Sequence, residues 1–88
     1  MNRNGARLKI SEHLIDHGSI SQLESLMLYG VQDLAKEISR LRAEGRVIRK
    51  RRITFAEAIV RVRKYAEFIP PKQLPIREIY LSDYVHFL

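Results

Sequence analysis

The sequence predicts a mainly α fold with a small β hairpin, on three observations: helical apolar spacing across the first 45 residues, a change to β-branched and basic residues after Gly45, and a weak alternation at Pro75–Leu81. A chain of 88 residues is expected to form one domain. A domain of that size buries only about 60–65% of its unfolded surface, so it is marginal but viable. Hydrophobic residues make up 45%, enough for one core and too many for a disordered chain. With no Cys, neither disulfides nor thiolate metal sites can staple it. The expected division is a three-helix core over 6–45, a basic wing with an insertion over 46–83, and an apolar tail over 84–88.

Ala6 to His17 reads as an amphipathic helix, with Ala6, Ile10, Leu14 and His17 on one stripe and Leu8 and Ile15 widening it. Gly18 stands where a left-handed cap is wanted. Ser21-Gln22-Leu23-Glu24 is a capping box: the Ser21 hydroxyl can accept from the Glu24 amide while the Glu24 carboxylate accepts from the Ser21 amide. The helix it starts is short, because Gly30 follows as a stop, and Leu23, Leu26 and Met27 are its expected core residues. A third helix over Gln32–Glu44 places Leu34, Ile38 and Leu41 inward, with Ala35 beside them, and Asp33, Lys36, Glu37, Arg40 and Ala43 outward. Two short helices about a tight Gly-containing turn, after a longer first helix, make the core of a helix-turn-helix domain.

After Gly45, Arg46–Ile53 reads as an edge strand, since four consecutive basic residues at 49–52 would sit badly in a buried sheet. Pro75–Leu81 is the expected return strand, and the pair forms the hairpin of a winged helix. Between them Thr54-Phe55-Ala56-Glu57 is a second capping box. Phe55, Ile59, Val62, Ala66 and Ile69 then keep helical spacing up to Pro70-Pro71. The rival reading is a strand alternating through Val60, Arg61, Val62 and Arg63, and β-branched residues leave propensity undecided. The helix, inserted in the wing, is the preferred reading.

The net charge of +6 is local. Residues 46–64 carry eight basic side chains against Glu57, while residues 1–45 are balanced at six of each sign. Such a block suggests contact with a polyanion, most often nucleic acid; a solvated basic loop is the plainer alternative.

The segment Gly18-Ser19-Ile20-Ser21-Gln22-Leu23-Glu24, with Leu28-Tyr29-Gly30, Leu34-Ala35, Ile38, Leu41-Arg42 and Gly45, resembles a small helix-turn-helix family found widely in bacteriophage and prophage genes. That resemblance covers about a third of the chain. It implies DNA binding and a regulatory role in a phage genome. It also implies a basic wing and a short aromatic-containing strand, a place that Arg77–Leu81 fits. The long stretch 54–75 departs from a simple wing turn, leaving open a DNA arm or a partner-binding element.

A major-groove helix reads bases from its first turns and outward face, which here means Gln32, Lys36 and Arg40. Gln suits adenine, and Lys or Arg suits guanine. Asp33 is expected to cap the helix rather than read cytosine. Arg46, Arg49, Lys50, Arg51 and Arg52 suit phosphate contacts, joined by Arg61, Arg63 and Lys64 if the insertion folds beside the wing. His13 and His17 have a metal-compatible spacing but lack a third ligand, so no metal and no cofactor is expected. The aromatics, Phe55, Tyr65, Phe68, Tyr80, Tyr84 and Phe87, are read as packing rather than base stacking.

No catalytic constellation is visible, so the chain is not expected to be an enzyme. The expectation is a cytoplasmic, sequence-specific double-stranded DNA-binding regulator of transcription, of phage or prophage origin. The alternative is a phage-encoded protein-binding inhibitor or modulator of a host enzyme. A homodimer through residues 54–69 and 84–88 is expected, because both carry apolar surface that a three-helix core leaves uncovered.

Overall fold

The computed structural model describes residues 3–70 and 72–87. Seven elements follow in order: α1 (Arg3–His17), β1 (Ser19–Ser21), α2 (Gln22–Tyr29), α3 (Leu34–Ala43), β2 (Val47–Thr54), α4 (Phe55–Val62) and β3 (Tyr80–Phe87). The strands form one antiparallel sheet in the order β1-β3-β2.

Local chemistry sets the helix boundaries. Gly18 and Gly30 adopt φ of 82° and 67°, and their amides return to Leu14 and Leu26 carbonyls at 2.8 and 2.9 Å. The Ser21 box is reciprocal, as expected. Asp33 caps α3 by accepting from the Lys36 amide at 3.1 Å. Thr54 caps α4 through the Glu57 amide at 3.1 Å, with its hydroxyl 3.4 Å from the Glu57 carboxylate.

The sheet separates two apolar clusters. On one face α1 and α3 pack around Ile10, Leu14, Leu34, Ile38 and Leu41, with Ile20, Ile48 and Tyr84 supplied by the three strands and Tyr29 of α2 at the edge. On the other, Ala58, Ile59 and Val62 of α4 bury against Leu23 and Ile53, with Phe55, Phe68 and Leu81 at the margin. Register explains the division. Tyr84 pairs with Ile20 and Lys50, while Asp83 pairs with Ser21 and Arg51, so alternate residues of β3 serve opposite faces.

Several expectations change. The preferred helix over 54–69 is present but shorter, ending at Val62. Its Pro71 stop lies outside the described residues. The return strand begins at Tyr80 rather than Pro75, because the Ile76–Ile79 turn spends its backbone groups on α4: the Ala56 amide donates to the Ile76 carbonyl and the Phe55 amide to that of Ile79. Arg77 therefore precedes the strand it was expected to join. Tyr84–Phe87 is half of the central strand, not a tail, and Leu88 lies outside the described residues. With Phe55, Ile59, Val62 and Ala66 packed internally, both surfaces expected to form a homodimer are largely used within the chain.

Within the helices, Leu26 and Met27 are exposed while Glu24 and Ser25 are buried, as is Glu37. The Ser25 hydroxyl donates to the Val31 carbonyl at 2.7 Å, so the turn between α2 and α3 claims the inward position. Leu8 and Ile15 are exposed, and His13 takes their place in the buried face of α1.

Candidate nucleic-acid interface

α3 is fixed on the domain by its buried stripe and by Arg42. The Arg42 guanidinium grips the Ile48 carbonyl with Nε at 3.0 Å and Nη2 at 2.8 Å, tying the end of α3 to β2. The exposed residues of the α3 region are Gln32, Asp33, Ala35, Lys36, Ser39, Arg42 and Ala43. Gln32 precedes the Asp33 cap rather than lying inside the helix, and its carbonyl accepts from the Gln22 side chain at 3.0 Å. Lys36 is exposed in the first turn. Arg40 is partly covered and lies 3.5 Å from the Glu37 carboxylate, one turn back. Ala35, expected beside the inward stripe, is exposed, and Ser39 joins it on the outer face, a position the helical period through Lys36 predicts.

The basic strand is divided by its own pleat. Lys50 and Arg52 share the face of Ile48 and Tyr84, the face that carries α1 and α3. Arg49 and Arg51 share the face of Ile53, where α4 packs. Arg52 lies over the Tyr80 ring at 4.8 Å and Arg49 over the Phe87 ring at 5.2 Å; both guanidinium groups remain exposed. Lys50 has no ion-pair partner among the described residues. β2 is an edge strand, and its charged side chains also discourage pairing with another chain.

Four of the residues expected at phosphates, Arg46, Arg51, Arg61 and Arg63, have partners within the chain. Arg46 donates to the Ser11 hydroxyl at 2.5 Å and meets His86 Nε2 at 3.4 Å, joining α1 to β3. Arg63 donates to the Phe68 carbonyl at 2.9 Å. Arg61 is the hub of a polar network: its Nη2 reaches Glu24 at 2.6 Å, Asp83 at 3.0 Å and Ser19 at 2.9 Å. Arg51 completes it, with Nε 2.6 Å from the other Asp83 oxygen. Lys64 stays exposed beside this network.

The network continues into α1. His13 Nε2 lies 3.0 Å from Glu24 and Nδ1 lies 2.6 Å from the Tyr29 hydroxyl. An ionised carboxylate only accepts, so the ring proton belongs on Nε2, and in the neutral ring Nδ1 accepts from Tyr29. Burial would push the Glu24 carboxyl up. The His13 hydrogen bond, the Arg61 charge and the bonds from Ser21 outweigh it and hold Glu24 below its ordinary value. Among the described residues no group of three or more side chains is arranged to hold a metal ion, and no helix is long and apolar enough to cross a membrane.

The element order, the β1-β3-β2 sheet and a capped third helix with an exposed outer face are the parts of a winged helix-turn-helix. No curated protein and no solved structure matches the chain. The family model described as a winged helix-turn-helix domain matches residues 7–69, from α1 through the helix inserted in the wing. With over two thirds of its 88 residues inside that match, the chain belongs to the winged helix-turn-helix domain family.

Proposed function

We propose that the chain is a sequence-specific double-stranded DNA-binding regulator, with the N-terminal half of α3 in the major groove. The observation that carries this reading is the exposed face of α3: Gln32 and Lys36 lie at its capped N-terminal end, on a domain whose family suggests DNA binding. Base reading falls to Gln32 and Lys36. Arg40 joins them once its long contact to Glu37 is released. Phosphate contact falls first to Lys50 and Arg52, which share the sheet face of α3, with Arg49 and Lys64 available to the flank of the duplex and Arg51 only through the donors its Asp83 pair leaves over. A regulatory role in a phage or prophage genome follows from the resemblance of residues 18–45.

Selection of bound sites from random duplexes tests the proposal. Recovery of a defined motif is expected, and its strength should fall with Lys36→Ala at one or two base positions, by about 1–3 kcal/mol at the preferred site. Retention without any motif would reject sequence-specific reading.

A second reading, a protein-binding modulator, is favoured by one observation. Val60 and Ile69 in the wing insertion are 61% and 86% exposed. A chain that captures one partner protein and leaves all duplexes unbound would support it.

A further inference from the structure

A cavity of about 280 Å³ opens between the end of α1, β1, β2 and α4. Its walls are His17, Ser19, Glu24, Arg51, Arg61, Lys64 and Tyr65. Pockets for drug-sized ligands hold roughly 300–1,000 Å³ and are mostly apolar. This one is at the small end and its walls are polar, which selects a small, strongly hydrated ligand.

The charges select its sign. Arg51 and Arg61 converge on a single carboxylate, Asp83, from opposite oxygens, and Arg61 also binds Glu24. Lys64 has no ion-pair partner among the described residues. Three cations thus meet two carboxylates, and both carboxylates are buried and already engaged. The Ser19 oxygen accepts from Arg61, which leaves its own proton free to donate. Tyr65 and His17 close the rim, 3.1 Å apart.

We propose that this cavity binds a small phosphorylated anion, held by Lys64 and the outer edges of the Arg51 and Arg61 guanidinium groups, with the Ser19 hydroxyl as a further donor. The inference is separate from DNA reading by α3. The cavity lies on the α4 face of the sheet, away from the exposed face of α3. A phosphoryl group could come from a free solute or from a DNA strand passing the wing, and the chemistry of the site is the same for both.

The test is a titration of the full chain with inorganic phosphate, followed by backbone amide NMR without DNA. Saturable shifts on the order of millimolar phosphate are expected at Ser19, Arg61, Lys64 and Tyr65. Lys64→Ala, at an exposed position, should weaken binding about five- to ten-fold, while Lys9→Ala on the outer face of α1 should leave it unchanged. Tyr65→Phe keeps the ring and should give a smaller loss. A short duplex that displaces phosphate assigns the group to the DNA backbone; one that binds alongside it assigns the group to a free solute. Shifts that never saturate, that are equally large at Lys50 and Arg52, or that survive Lys64→Ala would overturn the proposal. Phosphate binding by a chain that retains no duplex would instead reject the DNA reading and keep the cavity.

Discussion

Arg61 Nη2 donates to Asp83 Oδ1 at 3.0 Å, across 22 residues of sequence, and Asp83 has no solvent exposure at all. A fully buried carboxylate in so small a domain survives only because Arg51 takes its second oxygen at 2.6 Å. Replacing Asp83 frees Arg51, whose side chain is 55% exposed, and leaves Arg61 with Glu24 alone, so Asp83→Asn should cost about 1–3 kcal/mol, the loss of its charged hydrogen bonds. Urea unfolding at neutral pH measures this. A loss below about 1 kcal/mol would mean the network is ornamental.

Acid should undo the same network from its other end. Glu24 is held below its ordinary value of 4.5, so its stabilising contribution is complete above that value and is lost as the pH falls through the lower folded value. His86, whose ring is pushed down by burial and then by the Arg46 charge, acts with the same sign from its ordinary 6.5 downward. Melting temperature should therefore fall in two steps on acidification. Glu24→Gln should be less stable at neutral pH and should flatten the lower step. An unchanged acid limb in that variant would remove Glu24 from the account.

The sequence disclosed whatever is local. The Ser21–Glu24 box, the Gly18 and Gly30 stops and the Leu34-Ile38-Leu41 stripe depend on neighbours within one or two turns. It concealed what depends on distant partners. Asp83 breaks the apolar run of β3 and reads as surface until Arg51 and Arg61 arrive to bury it. The sequence therefore predicts the strand too early, over Pro75–Leu81, and its second half reads as a tail. Glu24 is legible from the sequence only as a capping-box carboxylate and His13 only as a histidine without a third metal ligand; their pairing in the interior, at 3.0 Å, depends on bringing α1 and α2 together. For the candidate interface, the basic composition of 49–52 was plain, but the division of those residues between two faces required the register against β3.

That division has a measurable consequence. With Arg46, Arg51, Arg61 and Arg63 engaged internally, about four cations, Arg49, Lys50, Arg52 and Lys64, remain for phosphates, and log K should fall with log salt at a slope of about −3 to −4. Lys50→Ala with Arg52→Ala should flatten the slope by about 2 and weaken all sequences alike. Arg46→Ala should lower stability and leave the slope unchanged. A slope change in Arg46→Ala equal to that of the Lys50/Arg52 pair would place Arg46 on DNA after all.

The turn before α3 sets where that helix points. Gly30 ends α2 at φ 67° with open space where a Cβ would stand, so the objection to a side chain is conformational rather than steric crowding by neighbours. Gly30→Ala should cost about 1–2 kcal/mol from the left-handed backbone alone. Gly30→Asn should cost less, because Asn tolerates that region. Thermal melts of the two variants compare them directly; equal stability for Ala and Asn would argue against the backbone explanation.

The wing insertion is expected to be part of the fold rather than an appendage. Thr54 and Tyr80 are register partners, so replacing residues 55–79 with a two-residue turn would join β2 to β3 without strain in the hairpin. Geometry alone would permit the shortened chain. Energetics oppose it. Ile59 and Val62 would no longer cover Leu23 and Ile53, a loss of roughly 1.5–3 kcal/mol for each side chain. Removing Arg61 also leaves Glu24 and Asp83 short of a cation, which exceeds the margin of a domain near the lower end of about 5 kcal/mol. The shortened chain should be unfolded by circular dichroism and amide dispersion. Adding Glu24→Gln and Asp83→Asn to it should recover part of the structure, because the stranded charges are then gone while the bare apolar face remains. A shortened chain that unfolds cooperatively and keeps its DNA motif would show that α4 is dispensable, and would return the wing to a simple DNA-contacting arm.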